Sequence, residues 1–221
     1  MTLFAALRLP GEILFGKGQR HALPAVARKL GRTALICTDE RFAGTEVFAE
    51  MRSALEAGGI ALRVHDSVEP DVPRDSVAAC VEGMQGYKPD MIIGIGGGSC
   101  LDFAKCTALL MTHGGTLSDY YGEFKVPGPT IPLISVPTTA GTGSEVTPVA
   151  VISDPDRTLK VGISSPHLIS KVAICDPELT MTCPRGLTAI AGADALTHAI
   201  EAYTAIRKEP GAELPQKHVF I

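Results

Sequence analysis

The chain has 221 residues, of which 45% are hydrophobic and 20% are charged, and its formal net charge is −4. This length and composition are typical of a globular protein with a substantial core and exclude a largely disordered chain. Because the balance is acidic and the Lys and Arg residues are scattered along the sequence, we predict no nucleic acid as a partner.

The cysteines and the apolar runs predict a cytoplasmic protein. The N-terminal stretch "MTLFAALRLPGEILFGKG" is interrupted by Arg8 and Pro10 and lacks a basic leader region and a cleavage site. No apolar run approaches the roughly 20 residues that span a bilayer, so no membrane partner is expected. The cysteines form no CxxC pair, which is usual for reduced thiols in a core. They are Cys37, Cys80, Cys100, Cys106, Cys175 and Cys183.

Strand and helix patterns alternate along the chain. Apolar runs that end in turn residues predict buried strands over residues 32–39, 89–99, 130–139 and 172–177. Between them, residues 46–57 and 76–87 carry apolar side chains at helical spacing. This βαβ alternation predicts an α/β domain with a parallel sheet and crossover helices.

The pattern changes near Cys183. From Pro184 the sequence becomes Ala-rich and helical through about residue 206, and no further strand pattern follows. We therefore predict an α/β domain over residues 1–182 and the start of a helical domain over residues 183–221. Residues 207–221 are typical of a loop that leads into "HVFI", an apolar run that the end of the chain interrupts. We therefore expect the chain to be incomplete.

The stretch "IGIGGGSCLDFAK" places Gly96, Gly97 and Gly98 between a predicted strand and a predicted helix. Glycines let the backbone turn tightly and approach a ligand, and a helix N-terminus that includes Ser99 favours a phosphate. The pattern therefore favours a pyrophosphate site. The alternative needs no ligand, since Ser99 and Asp102 have the spacing of a capping box.

Asp39 ends the stretch "ALICTD", far ahead of the glycines. A common Rossmann fingerprint has its acidic residue after the glycines instead. If Asp39 lies at the carboxyl edge of the same sheet, its carboxylate can accept hydrogen bonds from an adenosine ribose and would repel a 2′-phosphate, which favours NAD over NADP. The alternative is an ordinary aspartate in a strand-to-helix loop.

Small hydroxyl side chains follow a third predicted strand in "SVPTTAGTGSEVT", at Thr138, Thr139, Thr142 and Ser144. They suit contacts with phosphate, ribose or carboxamide groups, although a Ser/Thr-rich turn is the alternative. Polar loops after several parallel strands meet along one sheet edge, where such folds bind ligands. Lys160 in "RTLKVGI" is either a solvated strand lysine or a residue beside the cofactor.

The stretch "GADALTHAIEAY" places Asp194 and His198 four residues apart on a predicted helix. Residues at this spacing share a helix face, so a carboxylate oxygen and an imidazole nitrogen can reach one ion. This pair suits Fe²⁺, Zn²⁺ or Mn²⁺, while a helix-surface contact is the alternative. Glu201 lies near the same face. A catalytic metal takes three or more protein ligands, and His218 is the one histidine further along the sequence.

Taken in order, "GIGGGSCLDFAK", "PTTAGTGSEVT", "DPELT" and "GADALTHAIEAY" resemble the iron-containing alcohol dehydrogenase family, over nearly the whole chain. The resemblance implies a Rossmann-like dinucleotide-binding α/β domain followed by the truncated start of an all-helical domain, the architecture of dehydroquinate synthase. It also implies hydride transfer between a primary or secondary alcohol and NAD(P), a divalent metal with Fe²⁺ ahead of Zn²⁺ and Mn²⁺, and a homodimer or larger homo-oligomer.

The resemblance also implies roles for individual residues, while no residue is assigned a catalytic role. Asp194 and His198 match the first two metal ligands, and the remaining two, both histidines, are expected beyond Ile221. The cofactor site is implied to include Gly98, Ser99 and Asp102 at the pyrophosphate, Asp39 at the adenosine ribose, and Thr138, Thr139, Thr142, Lys160 and Leu179 elsewhere.

Two positions depart from the family pattern. Asp71 in "EPDVP" stands where many members have Asn near the nicotinamide, and Val149 stands where some have another Asn. These departures bear on cofactor affinity and substrate preference. Alternatives of the same architecture are dehydroquinate synthase-like, glycerol-1-phosphate dehydrogenase-like and glycerol or polyol dehydrogenase-like proteins. The alternative from another class is a nucleotide-binding module without catalysis.

Overall fold

The computed structural model describes residues 8–204 of the chain. The strands in this range are β1 Glu12–Phe15, β2 Thr33–Cys37, β3 Ala61–His65, β4 Met91–Gly96, β5 Gly122–Glu123, β6 Leu133–Pro137, β7 Val149–Ile152, β8 Val161–Ser164 and β9 Val172–Cys175. The α-helices are α1 Leu23–Leu30, α2 Glu40–Ala43, α3 Glu46–Ala57, α4 Arg74–Gly83, α5 Gly98–His113 and α6 Arg185–Thr204. Short 3-10 turns cover Gln19–Ala22, Leu117–Tyr120, Pro166–Leu168 and Pro177–Thr180.

A parallel sheet forms the centre of the fold. Within residues 8–204 its six strands pair in the order β1-β9-β6-β4-β2-β3. A smaller sheet has the order β5-β8-β7, and β7 and β8 pair antiparallel. The parallel α/β fold predicted from the alternating pattern is confirmed.

Helices cover both faces of the main sheet. Side chains of a strand alternate between the two faces, so neighbouring residues enter different cores. Leu35 and Ile92 pack on the side of α5 with Phe103, whereas Ile36 and Ile93 pack on the side of α1 and α3. All five side chains are fully buried. Burial of each such side chain stabilises the fold by about 1.5–3 kcal/mol.

The predicted elements match the structure most closely in the middle of the sheet. The predicted strands correspond to β2, β4, β6 and β9, and the predicted helix over residues 46–57 is α3. The helix predicted over residues 76–87 is α4, but it ends at Gly83, and the chain then turns through Gly86 with φ 78°. Left-handed backbone of this kind is favourable for glycine and incompatible with a continuing helix.

The N-terminal strand is anchored to the end of β9 by one buried carboxylate. Asp176 accepts hydrogen bonds from the backbone N–H groups of Gly18 and Arg20 at 3.1 Å and from the Arg20 guanidinium at 2.8 Å. The backbone N–H of Glu178 adds a further bond. Burial alone would raise the pKa of the Asp176 carboxyl, but these hydrogen bonds outweigh it and hold the pKa below its ordinary value.

We expect Asp176→Ala to lower the free energy of unfolding by about 2–4 kcal/mol at neutral pH, because it leaves the backbone N–H groups of Gly18 and Arg20 without their acceptor and removes one of the two carboxylates that pair with the Arg20 guanidinium. A group with a lowered folded pKa stabilises the fold above its unfolded pKa, about 3.9, and this contribution is lost as the pH falls through the folded value. Urea denaturation from pH 7 downward checks both points. A difference between wild type and variant that persists unchanged at low pH would contradict the assignment.

The last described element is the helix α6. It begins at Arg185, directly after Pro184, as the sequence pattern predicts, and reaches Thr204. The domain boundary at residues 182/183 stays a prediction, and the loop interpretation of residues 207–221, with His218, lies outside the described residues. No helix within residues 8–204 is both long and apolar enough to cross a membrane.

Candidate cofactor and metal site

A cavity of about 970 Å³ lies at the carboxyl edge of the main sheet, facing α6. Asp39 follows β2, Gly97 follows β4 and Thr139 follows β6, and all three line the cavity. Asp194 and His198 line its wall on α6. The volume is in the range of nucleotide and cofactor sites. Three strand ends and a helix therefore bring most of the predicted cofactor residues and both predicted metal ligands to one cleft.

The glycine turn forms a cradle that a side chain would fill. A Cβ atom at Gly98 would lie 2.6 Å from Thr142 Cγ2, and one at Gly97 would lie 3.4 Å from Thr139 Cγ2. The N-terminus of α5 opens at this point, and within the described chain no side chain caps it at Gly97. Free N–H groups at the start of a 16-residue helix favour an anion. This geometry fits a pyrophosphate.

The capping-box alternative does not form. The Ser99 hydroxyl instead accepts a hydrogen bond from the backbone N–H of Asp71 at 3.1 Å. Asp102 accepts hydrogen bonds from the Ser144 hydroxyl, in the segment before β7, at 2.6 Å and from the Val151 N–H, within β7, at 3.0 Å. Both residues line the cavity, so the turn is shaped for more than helix capping.

Asp39 caps the short helix α2 and contacts Cys100 at the cavity, and its role at an adenosine ribose stays a prediction. Its Oδ1 accepts a hydrogen bond from the Phe42 N–H at 2.9 Å and caps α2, while Oδ2 lies 3.6 Å from the Cys100 Sγ. Burial raises the pKa of the Cys100 thiol, and the Asp39 charge raises it further, so the thiol stays protonated and donates. Arg41, which the sequence patterns do not single out, also lines the cavity, with Nε 3.9 Å from Asp39 Oδ1.

Three of the predicted cofactor residues lie just outside the cavity lining. Gly96 ends β4 with φ 150°, and a Cβ there would collide with the Cys100 side chain. Thr138 is buried, and its Oγ1 has no hydrogen-bond partner within the described chain. Leu179 packs in the core on the α1 and α3 side. Their contact with a cofactor stays a prediction, and only Thr138 offers a free polar atom.

Lys160 pairs with Asp71 across the rim of the cavity. The Lys160 ammonium donates to the Asp71 carboxylate, and both side chains are more than half exposed. Asp71 and Val72 have φ of 66° and 52°, which is strained backbone for residues other than glycine. The Ser153 N–H holds this strained turn by donating to the carbonyls of both residues, at 3.1 and 3.0 Å. Lys160 is thus positioned beside the cavity by its ion pair with Asp71.

Asp194 and His198, the two predicted metal ligands, lie close together on α6. The two side chains lie on one face of α6, with 3.5 Å between Oδ1 and Nε2, and both are partly exposed toward the cavity. Glu201, one turn further, also lines the cavity. Residues 8–204 hold no group of three or more side chains placed to bind a metal. The donor set fits a divalent metal that takes its remaining ligands from elsewhere.

Lys105 is a buried residue behind the site, and the sequence patterns do not single it out. It is fully buried, and its ammonium donates to the Ser144 hydroxyl and to the carbonyls of Thr147 and Val149. Its Nζ lies 3.7 Å from the Asp102 carboxylate. Burial lowers the pKa of Lys105 and raises that of Asp102, while their mutual attraction opposes both changes. The sequence signal is a pair of opposite charges three residues apart on a helix that contains no other Asp, Glu, Lys or Arg.

Comparisons with known proteins agree with this geometry. The family model "Iron-containing alcohol dehydrogenase" matches residues 10–177. The chain is 36% identical over 200 residues to sulfoacetaldehyde reductase from Bilophila wadsworthia, covering 90% of this chain and 52% of that protein. It is 36% identical over 198 residues to the NAD-dependent methanol dehydrogenase of Bacillus methanolicus, covering 89% and 52%.

Two solved structures extend the comparison. A 1,3-propanediol oxidoreductase superposes with a TM-score of 0.88 at 32% identity, covering 94% of this chain and 55% of that one. Sulfoacetaldehyde reductase from Bifidobacterium kashiwanohense, solved in complex with NAD⁺, has a TM-score of 0.81 at 30% identity, covering 95% and 56%. The chain spans about half the length of the relatives it matches.

Proposed function

The chain belongs to the iron-containing alcohol dehydrogenase family, and from this premise we propose that it forms the NAD-binding half of a metal-dependent alcohol dehydrogenase. The observation that carries the proposal is the shared cavity, in which the glycine cradle and the Asp194–His198 pair face one space. The reaction is hydride transfer between a primary or secondary alcohol and NAD, in which the alcohol is interconverted with the corresponding aldehyde or ketone.

One set of residues in the chain binds the cofactor, and another set holds the metal. Gly97, Gly98 and the N-terminus of α5 bind the pyrophosphate, and Asp39 binds the adenosine ribose and disfavours NADP. Asp194 and His198 hold the metal, with Fe²⁺ ahead of Zn²⁺ or Mn²⁺. The cofactor held there would supply the hydride acceptor or donor, and the metal would supply a Lewis acid for the substrate oxygen.

The relatives support the substrate class and the cofactor. Their names include a methanol dehydrogenase described as NAD-dependent, a sulfoacetaldehyde reductase and a 1,3-propanediol oxidoreductase, all of which act on small alcohols or aldehydes. We further propose a homodimer or larger homo-oligomer and a cytoplasmic location. The cytoplasmic location is supported by the cysteines, which are all free. They lie at positions 37, 80, 100, 106, 175 and 183.

A nucleotide-binding module without catalysis is the second candidate for this chain. It is favoured by one observation, namely that the described residues supply two metal ligands and no group of three. Two ligands leave a metal exposed to competing water and without a fixed geometry.

Titration of the purified chain with NADH and NADPH, followed by nicotinamide fluorescence, tests the cofactor proposal. We expect saturable binding, tighter for NADH, because Asp39 repels a 2′-phosphate. Alcohol-dependent reduction of NAD⁺ with Fe²⁺ present then separates the two candidates. Binding with turnover supports the dehydrogenase, and binding without turnover or bound metal supports the module. A folded chain that binds neither nucleotide would contradict both.

A further inference from the structure

Lys105 carries a charge in the interior of the protein, beside the glycine cradle but without reaching it. The side chain is fully buried on α5, two turns after Gly98, and it does not line the cavity. A buried charge costs free energy unless every one of its hydrogen-bonding positions is used. An apolar residue would fill the same space without that cost, so packing alone does not account for a lysine here.

The contacts of Lys105 all lead to one segment of the chain. Its Nζ lies 3.0 Å from Ser144 Oγ, 3.1 Å from the Thr147 carbonyl and 2.6 Å from the Val149 carbonyl. These three acceptors match the three protons of an ammonium group. We call residues 142–151 the threonine segment. Most of it lies before β7 and so has few backbone bonds of a sheet to fix it.

Asp102 completes the network from the same helix. It accepts hydrogen bonds from the Ser144 hydroxyl and the Val151 N–H, and its carboxylate balances the Lys105 charge at 3.7 Å. Buried ion pairs add little stability compared with well-packed apolar residues, but they can select one register of the elements that they join. Here the joined elements are α5 and the threonine segment.

The threonine segment also forms the second wall of the cradle. The Thr142 side chain lies against Gly98, at 2.6 Å from the position of a Cβ atom there. The first wall is the N-terminus of α5, on the helix that carries Lys105. A shift of the threonine segment relative to α5 would therefore change the width of the cradle directly.

We propose that Lys105 is a positioning residue for the dinucleotide, which locks the threonine segment onto α5 and so keeps Thr142 over Gly98. This inference rests on the proposed function, because it assumes that the cradle binds the pyrophosphate of NADH. Lys105 itself does not touch the cofactor. Its effect on affinity passes through Ser144, Thr147 and Val149.

The test is the NADH affinity of Lys105→Met in the 221-residue chain, with Leu109→Ala as the matched control. Methionine keeps the stem of the side chain but removes all three donors, and we expect NADH to bind at least about tenfold more weakly. Leu109 is fully buried on the same helix and belongs to the hydrophobic core between α5 and the main sheet. Its truncation destabilises the fold through a cavity and should leave the NADH affinity of the folded protein within about twofold.

Amide hydrogen exchange supplies a readout that a loss of stability alone does not produce. In K105M, residues 142–151 should exchange faster relative to the sheet strands, whereas L109A should leave that relative rate unchanged. If K105M does not fold, Lys105→Gln, which keeps an amide donor, gives the same comparison.

Two outcomes overturn the inference in different ways. A folded K105M that binds NADH as tightly as wild type, or an equal loss of affinity in L109A, removes the positioning role and leaves the proposed function intact. Absence of NADH binding by the folded wild-type chain overturns the proposed function and the positioning role together.

Discussion

Gly98→Ala is expected to weaken NADH binding by the chain at least about a hundredfold. The new Cβ would lie 2.6 Å from Thr142 Cγ2 and 2.9 Å from Thr142 Oγ1. Real Cβ atoms do not approach this closely, and the β-branched Thr142 has few rotamers with which to move away. The methyl group also occupies the space through which a phosphate reaches the N–H groups of α5. Loss of two charge-assisted hydrogen bonds corresponds to about this change in affinity.

Gly83→Ala is the matched control for this substitution. Gly83 ends α4, and an added Cβ there meets no atom within 4 Å. The change should leave the NADH affinity within about twofold and stabilise the fold by up to about 1 kcal/mol, because alanine is the better helix former. Fluorescence titration measures the affinity and urea denaturation the stability. If a folded G98A binds NADH as tightly as wild type, the glycine cradle is not part of the cofactor site.

Asp39→Asn is expected to remove most of the preference for NADH over NADPH, mainly by making NADPH bind about tenfold more tightly. The substitution removes the negative charge that would face a 2′-phosphate. Asparagine is as good an N-cap as aspartate, so the bond from the Phe42 N–H that begins α2 is retained. Arg41 already lines the cavity and can then attract the phosphate. The NADH affinity should fall only a few-fold.

Glu40→Gln controls for the loss of one negative charge from the same turn. Glu40 is exposed in the first turn of α2 and does not line the cavity. The ratio of the NADH and NADPH dissociation constants, measured at one fixed salt concentration, should therefore stay as in wild type. An unchanged ratio in D39N, or the same change of ratio in E40Q, would contradict the assignment of Asp39 to the ribose.

The centre of the fold could be predicted from the sequence because its strands are buried on both faces. β4 and β6 are completely buried and therefore appear as continuous apolar runs. The edge strands β1 and β3 are half exposed and short, and β3 contains Arg63, so neither produces such a run. The pair β7 and β8 was missed for the same reason, since each has four residues of mixed burial.

The location of the site was predictable, whereas its internal connections were not. Parallel strands bring their carboxyl ends to one edge, so the loops with Asp39, Gly97 and Thr139 had to meet. The role of Lys105 depends on where an irregular segment folds back on α5, and no local pattern encodes that return. The strained turn at Asp71, which pairs with Lys160, is likewise fixed by contacts with a distant residue, Ser153.

Hydrogen exchange of the chain with and without saturating NADH tests most directly the claim that the cleft binds the cofactor. It identifies the backbone amides that the bound cofactor protects. The account predicts slower exchange at residues 97–102 in the glycine turn and at residues 138–144, together with the end of β2 near Asp39. The same experiment should leave α4 and the β7–β8 pair unchanged. Saturable NADH binding with no protection at residues 97–102 would show that the cofactor binds elsewhere and would contradict the account.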